Sequence, residues 1–175
     1  MDKGTEPGGS AIKTMAALSK YSTTIDHVAI AVRNLEESVK FYTDVLGFEL
    51  KERRRTEGKQ TAMISAVLKA GPITLVLLEG TSPESQVSRF VEHFGPGVQH
   101  VAIGVQNLPE MAEELRASGL EFDTTVISSP GLRQIFSRRD MGSGMMFEFI
   151  ERMGGDFSDA SVQQLFEQLE RKSAF

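Results

Sequence analysis

The chain contains one stretch twice. Residues 25–35 (IDHVAIAVRNL) and 98–108 (VQHVAIGVQNL) share a histidine, His27 or His100, at the same point, and each copy reads as a strand running into a helix. Period-2 alternation puts His27, Ala29 and Ala31 on one strand face and Val28, Ile30 and Val32 on the other. His100, Ala102 and Gly104 face likewise in the second copy. The histidine face is otherwise lined by small residues, which reads as room left for an ion and a ligand. A duplicated histidine strand restricts the fold to two similar halves that share one core and bring their histidines together.

Each half continues alike. In the first, Asn34 with Glu37 predicts an N-cap, and Leu35, Val39, Tyr42 and Leu46 at helical spacing carry a helix to a stop at Gly47. Strands are expected at 48–55, 62–68 and 73–79, separated by turn residues. Val87, Phe90, Val91 and Phe94 make the apolar stripe of a linker helix over 83–95. The second half repeats the plan: Asn107 and Glu110 cap a helix stopped by Gly119, then strands follow near 120–125, 132–137 and 145–151. Val162, Leu165, Phe166 and Leu169 give an amphipathic C-terminal helix over 158–171. The expected class is α+β: two paired β-α-β-β-β modules, 24–80 and 97–152, forming one curved sheet in a single domain over 24–171. Residues 1–23, with their Pro7-Gly8-Gly9 stretch, read as a flexible segment in which 11–21 can form a short helix.

The chemistry appears on superposing the halves. Aligning the last strands sets Val76 against Glu148. His27, His100 and Glu148 then make a 2-His-1-carboxylate face, while the fourth symmetric position holds Val76 and coordinates nothing. Such a face leaves sites open, the arrangement of non-heme Fe(II) oxygenases. Glu148 also interrupts an apolar run, and a buried carboxylate is costly unless paired, protonated or metal-bound. His93, without a repeat partner, reads as a solvated helix residue, and Glu151, three residues past Glu148, as pointing outward from the opposite face.

Composition removes other classes. A formal charge of -5 with only Arg53-Arg54-Arg55 as a basic run argues against nucleic-acid or anionic-membrane partners. No apolar run approaches the roughly 20 residues of a membrane helix. The absence of cysteine excludes disulfides and thiolate chemistry, and with no signal-peptide core the cytoplasm is the expected location. With 175 residues and 40% hydrophobic content the chain suffices for one packed domain.

The paired modules with His27, His100 and Glu148 resemble the vicinal oxygen chelate superfamily of glyoxalases, bleomycin-resistance proteins, methylmalonyl-CoA epimerases and dioxygenases. Ser85-Gln86 followed by GPGVQH at 95–100, LRQIF at 132–136 and FEFIER at 147–152 are most similar to the iron-binding C-terminal domain of the 4-hydroxyphenylpyruvate dioxygenases. That resemblance implies Fe(II) at the three ligands, a 2-oxoacid and O2 as substrates, oxidative decarboxylation with hydroxylation, and a homodimer. It also implies Gln86 and Gln134 at catalytic substrate-orienting positions, and a lid formed by the helix after Gly154-Gly155. Departures are visible as well. Leu78 stands where that family carries an asparagine, Ser161-Val162 replaces its Asn-Phe lid motif, and only the iron-binding half is represented. Leu78 and Ser161 are thus candidate substrate contacts of altered polarity. Burying a phenol hydroxyl without its partner costs about 1–3 kcal/mol, which points to a less polar oxoacid. The alternatives are a redox-neutral metal-dependent epimerase, isomerase or lyase, whose relatives generally fill the position of Val76 with a ligand, and a small-molecule-binding resistance protein.

Overall fold

The structure, a computed structural model, describes residues 17–172 and 174. Residues 1–16 of the segment expected to be flexible lie outside the described residues. The rest of that segment belongs to the fold: Ala17–Tyr21 is a helical turn (α1), and strand β1 (Ser22–Ala31) begins immediately after it. Tyr21 is buried against the second module, and its hydroxyl donates to Glu114 at 2.9 Å.

The strands are β2 (Glu49–Glu57), β3 (Ala62–Ala70), β4 (Ile73–Gly80), β5 (Gly97–Val105), β6 (Ile127–Ser129), β7 (Leu132–Phe136) and β8 (Met146–Arg152). They form one eight-stranded sheet in the order β2-β3-β4-β1-β5-β8-β7-β6, curled into a half-barrel. The two histidine strands pair antiparallel at its centre, and each pairs in parallel with the last strand of its own module. Ala29 stands beside Val76 and Ala102 beside Glu148, so the register makes Val76 and Glu148 equivalent.

Alternation separates the faces of the sheet. On β4, Leu75 and Leu77 pack under helix α2 (Leu35–Lys40), whereas Val76 and Leu78 line a cavity on the other side. Helix α4 (Leu108–Ala117) covers the second module in the same way through Leu108, Met111 and Ala112. The last strand of each module also anchors its helix. Glu79 accepts from Leu35 N at 2.6 Å, and Glu151 accepts from Asn107 N at 2.8 Å. Glu151 therefore lies on the face opposite Glu148, as alternation requires, but is held against a helix N-terminus instead of pointing into solvent.

Three local expectations are corrected. Asn34 caps α2 by accepting from Glu37 N at 3.1 Å, but the helix continues through Phe41–Val45 as a π-turn, which rotates Leu46 out of the buried stripe and leaves it 52% exposed. Asn107 instead adopts a left-handed conformation (φ 52°), bonds its side chain to Glu110, and leaves the cap to Glu151. The strand expected at 120–125 is reduced to a bridge between Phe122 and Ser137, because Thr124 Oγ1 takes the Phe136 N–H that a ladder carbonyl would have accepted. Pairing resumes only at β6.

The linker helix α3 spans Gln86–Phe94, shorter than expected because Ser82–Ser85 forms a turn. It packs Val87, Phe90 and Val91 onto Ala29, Ala31 and Leu78. The small residues of the histidine face thus admit α3 close to the sheet, and the space expected for a ligand lies farther along that face. Helix α5 (Asp159–Lys172) crosses from one module to the other. Glu170 accepts from the amides of Lys59 and Thr61 in the β2–β3 turn, and Gln168 accepts from Thr125 N at 2.8 Å.

Candidate metal centre

Two bulges at the centre of the sheet build the site. Across the β1–β5 pair, Ile25 faces Ile103 and His27 faces Ala102, leaving Asp26 as an extra residue in β1. Likewise Ala29 faces His100 and Ile30 faces Val98, leaving Gln99 extra in β5. Bulges turn a side chain out of simple alternation. Here each brings an oxygen onto the neighbouring histidine: Asp26 Oδ1 lies 2.9 Å from His27 Nδ1, and Gln99 Oε1 is bonded to His100 Nδ1. With Nδ1 engaged, Nε2 of each ring is directed at the common centre.

His27, His100 and Glu148 are all buried there, and one ligand atom from each lies within 4.8 Å of the others. Glu148 Oε2 is 3.2 Å from His27 Nε2 and 3.6 Å from His100 Nε2, whereas its Oε1 is buried without a hydrogen-bond partner. One carboxylate oxygen bare in the interior and the other facing two imidazole nitrogens make a donor set that suits a divalent cation, and the residues fit such an ion. The electrostatics follow from the same contacts. Burial opposes charge on His27, but the carboxylates of Glu148 and Asp26 outweigh it and push its pKa up to about 9. Burial, with the nearby positive charge of His27 and Arg139, holds His100 well below the usual imidazole value. Burial also opposes charge on Asp26, yet its bonds to His27 and Arg152 hold it far below the ordinary carboxylate range.

Arg152 closes this arrangement from outside. Its Nε and Nη2 donate to both oxygens of Asp26 at 2.6 and 3.0 Å, and its Nη1 donates to Asp156 at 2.9 Å. The guanidinium lies 5.0 Å from the centroid of the Phe157 ring, which in turn meets His27 edge-to-face at 5.9 Å.

The centre opens into a cavity of about 610 Å³. Val67, Val76 and Leu78 line its first-module side, Gln86, Gln134 and Phe136 its other side, and α5 closes it with Val162, Leu165, Phe166 and Leu169. Gln86 Oε1 and both amide atoms of Gln134 are buried without partners. Of the residues singled out in the sequence, the structure gathers His27, His100, Glu148, Gln86, Gln134 and Leu78 around this one space. Ser161 is not among the residues lining it. Its hydroxyl donates to Ser158 O at 2.9 Å and its N–H to Ser158 Oγ at 3.1 Å, so Ser161 is engaged in capping α5 while its neighbour Val162 meets the cavity. His93 is exposed, on α3. Sequence reasoning missed Asp26, Gln99, Arg152 and Phe157. The signal available for the first two was an oxygen-bearing residue immediately before each repeated histidine.

Residues 24–149 match the Glyoxalase/Bleomycin resistance protein/Dioxygenase superfamily, and the chain belongs to that superfamily. Among curated relatives, 4-hydroxyphenylpyruvate dioxygenase of Legionella pneumophila is 27% identical over 188 residues, covering 85% of this chain and 54% of the relative. A variant of 4-hydroxymandelate synthase from Streptomyces coelicolor shares the fold with a TM-score of 0.77 at 24% identity, covering 86% of this chain and 54% of that one. Methylmalonyl-CoA epimerase from Mycobacterium tuberculosis superposes with a TM-score of 0.64 at 26% identity, covering 75% of this chain and 89% of the epimerase. The chain spans about half the length of the dioxygenases it matches.

Proposed function

We propose that the protein is a non-heme Fe(II)-dependent dioxygenase that converts a 2-oxoacid with an apolar tail, by oxidative decarboxylation and hydroxylation, into a shorter hydroxylated acid. The observation that carries this reading is a three-ligand centre with Val76 at the fourth symmetric position, opening on a cavity in which Gln86 Oε1 and both amide atoms of Gln134 have no partner. A divalent ion held by His27, His100 and Glu148 supplies Lewis acidity, and as Fe(II) it also supplies electrons to dioxygen. The protein's share is binding and orientation. Gln86 and Gln134 offer hydrogen bonds to the oxygen-bearing head of the substrate, and their desolvation favours a ligand that satisfies them. Val67, Val76 and Leu78, with the inner face of α5, offer an apolar wall for its tail within a cavity whose lining also includes Lys51, Arg54, Ser65 and Lys69. The stoichiometry is one O2 consumed and one CO2 released per oxoacid, with one oxygen atom entering the new carboxylate and the other the hydroxyl group.

A redox-neutral reading, proton transfer beside a metal-polarised carbonyl, draws support from the near full-length match to an epimerase. Such chemistry needs a base in the pocket. Apart from Glu148, the carboxylates around the cavity are Asp26, bound to His27 and Arg152, Glu52, paired with Arg54 at 2.6 Å, and the 94% exposed Asp156. The dioxygenase is therefore the better supported of the two.

Anaerobic loading with Fe(II), followed by addition of aryl and aliphatic 2-oxoacids, tests the assignment. The expected result is a weak visible absorption band on chelation, then equal O2 uptake and CO2 release on aeration. Metal binding with neither oxoacid chelation nor O2 consumption would reject it and direct assays to acyl-CoA and 2-oxoaldehyde proton transfer.

A further inference from the structure

Arg152 touches both the support of a candidate metal ligand and the chain leading into α5. Glu148 and Arg152 lie four residues apart on β8, hence on the same strand face, so the strand that supplies the carboxylate ligand also supplies this arginine. Its fork grips Asp26, which is itself bonded to His27. On its other side it holds Asp156 and stacks on Phe157, three and two residues before Asp159, the first residue of α5. Phe157 returns to the site by packing its ring on His27.

From this closed circuit we infer that Arg152 is a positioning residue that couples occupation of the metal centre to the seating of α5 over the cavity. An ion that fixes the His27 ring fixes two groups at once, Asp26 behind it and Phe157 beside it, and Arg152 holds both. Ordering them orders the 153–158 connection and with it the start of α5. By linkage the converse holds: a seated α5 strengthens metal binding by the same factor. The circuit uses a planar fork for Asp26 and a third nitrogen for Asp156, a geometry that lysine cannot reproduce.

The inference rests on the metal centre proposed above, and its test separates the two. Co(II) serves as the probe, its affinity read from its visible bands, and amide hydrogen exchange from Ser158 to Phe166 is followed with and without it in the full chain. In the unaltered protein Co(II) should slow that exchange by about 5-fold or more, the lower end of ordinary coupling. Arg152→Gln should weaken Co(II) binding by about 10–100-fold, the usual cost of losing support behind a ligand, and should abolish the response of α5. Arg152→Lys should restore neither. Asp26→Asn is the decisive variant, since among the described residues Asp26 bonds to His27 and Arg152 and not to α5 or its connection: it too should uncouple exchange in α5 from Co(II). Tight Co(II) binding by the unaltered protein with no change in α5 exchange, or an Asp26→Asn protein whose α5 still responds fully, overturns the coupling and leaves the metal centre standing. Failure of the unaltered protein to bind Co(II) overturns both.

Discussion

At the scale of single residues, the three ligands are expected to act as a set. Replacing His27, His100 or Glu148 with alanine should each abolish stoichiometric metal binding while leaving far-UV circular dichroism unchanged, whereas His93→Ala, on an exposed helix face, should bind metal normally. Retained binding in all three ligand variants would remove the site. Asp26 gives a prediction in pH. Its folded pKa lies below that of an unfolded aspartate, about 3.9, so its ionisation stabilises the fold above that value and the contribution is lost as pH falls. In urea denaturation the stability gap between the unaltered protein and Asp26→Asn should be full above about pH 5 and should narrow as pH drops below about 4; a gap that widens in acid would show that the carboxylate is not held ionised by His27 and Arg152. The grouping of His27, His100 and Glu148 was legible because a repeat places like residues in like positions, so two histidines and one unmatched glutamate stood out. Their supports were not. Strict alternation turns Asp26 and Gln99 away from the histidine face, and only the bulges return them.

At the scale of elements, helix stripes and strand runs were legible where periodicity met a stop signal, as in α4 with Gly119 or β4 after Gly71-Pro72, though not at Leu46, which the π-turn before Gly47 rotates out. Misreadings fell where a side chain took over a backbone role: Thr124 in place of a ladder carbonyl, Glu151 in place of the Asn107 cap. Contacts between distant turns were likewise invisible. Gly155 lies against the β6–β7 turn, where a Cβ would stand 2.1 Å from Pro130 O and 2.8 Å from Gly131, and its N–H donates to Gly131 O at 3.0 Å. The connection into α5 is thus clamped backbone to backbone. Gly155→Ala should force the two turns apart and destabilise the protein by about 1–3 kcal/mol in chemical denaturation, the range for overpacking a tight contact. An unchanged midpoint would mean that the turns separate without cost.

At the scale of the whole molecule, two equivalent modules produce an inequivalent site. The register is the same on both sides of the β1–β5 seam, yet the position beside Ala102 carries Glu148 and the one beside Ala29 carries Val76. That asymmetry sets a carboxylate on one side of the centre and an aliphatic side chain on the other, the difference between a three-ligand set with open positions and one closed by a fourth ligand. Val76→Glu tests whether the asymmetry governs function. Val76 already lines the cavity on the correct strand face, so a glutamate there can reach the centre from the symmetric side. The variant should bind a divalent metal more tightly by about tenfold or more, equivalent to about 1.4 kcal/mol, while losing oxoacid chelation and O2 uptake. If Val76→Glu instead left oxoacid-dependent O2 uptake intact, the vacancy opposite Glu148 would not be where substrate binds. The 2-oxoacid would then have to approach from the side of Gln86 and Gln134 alone.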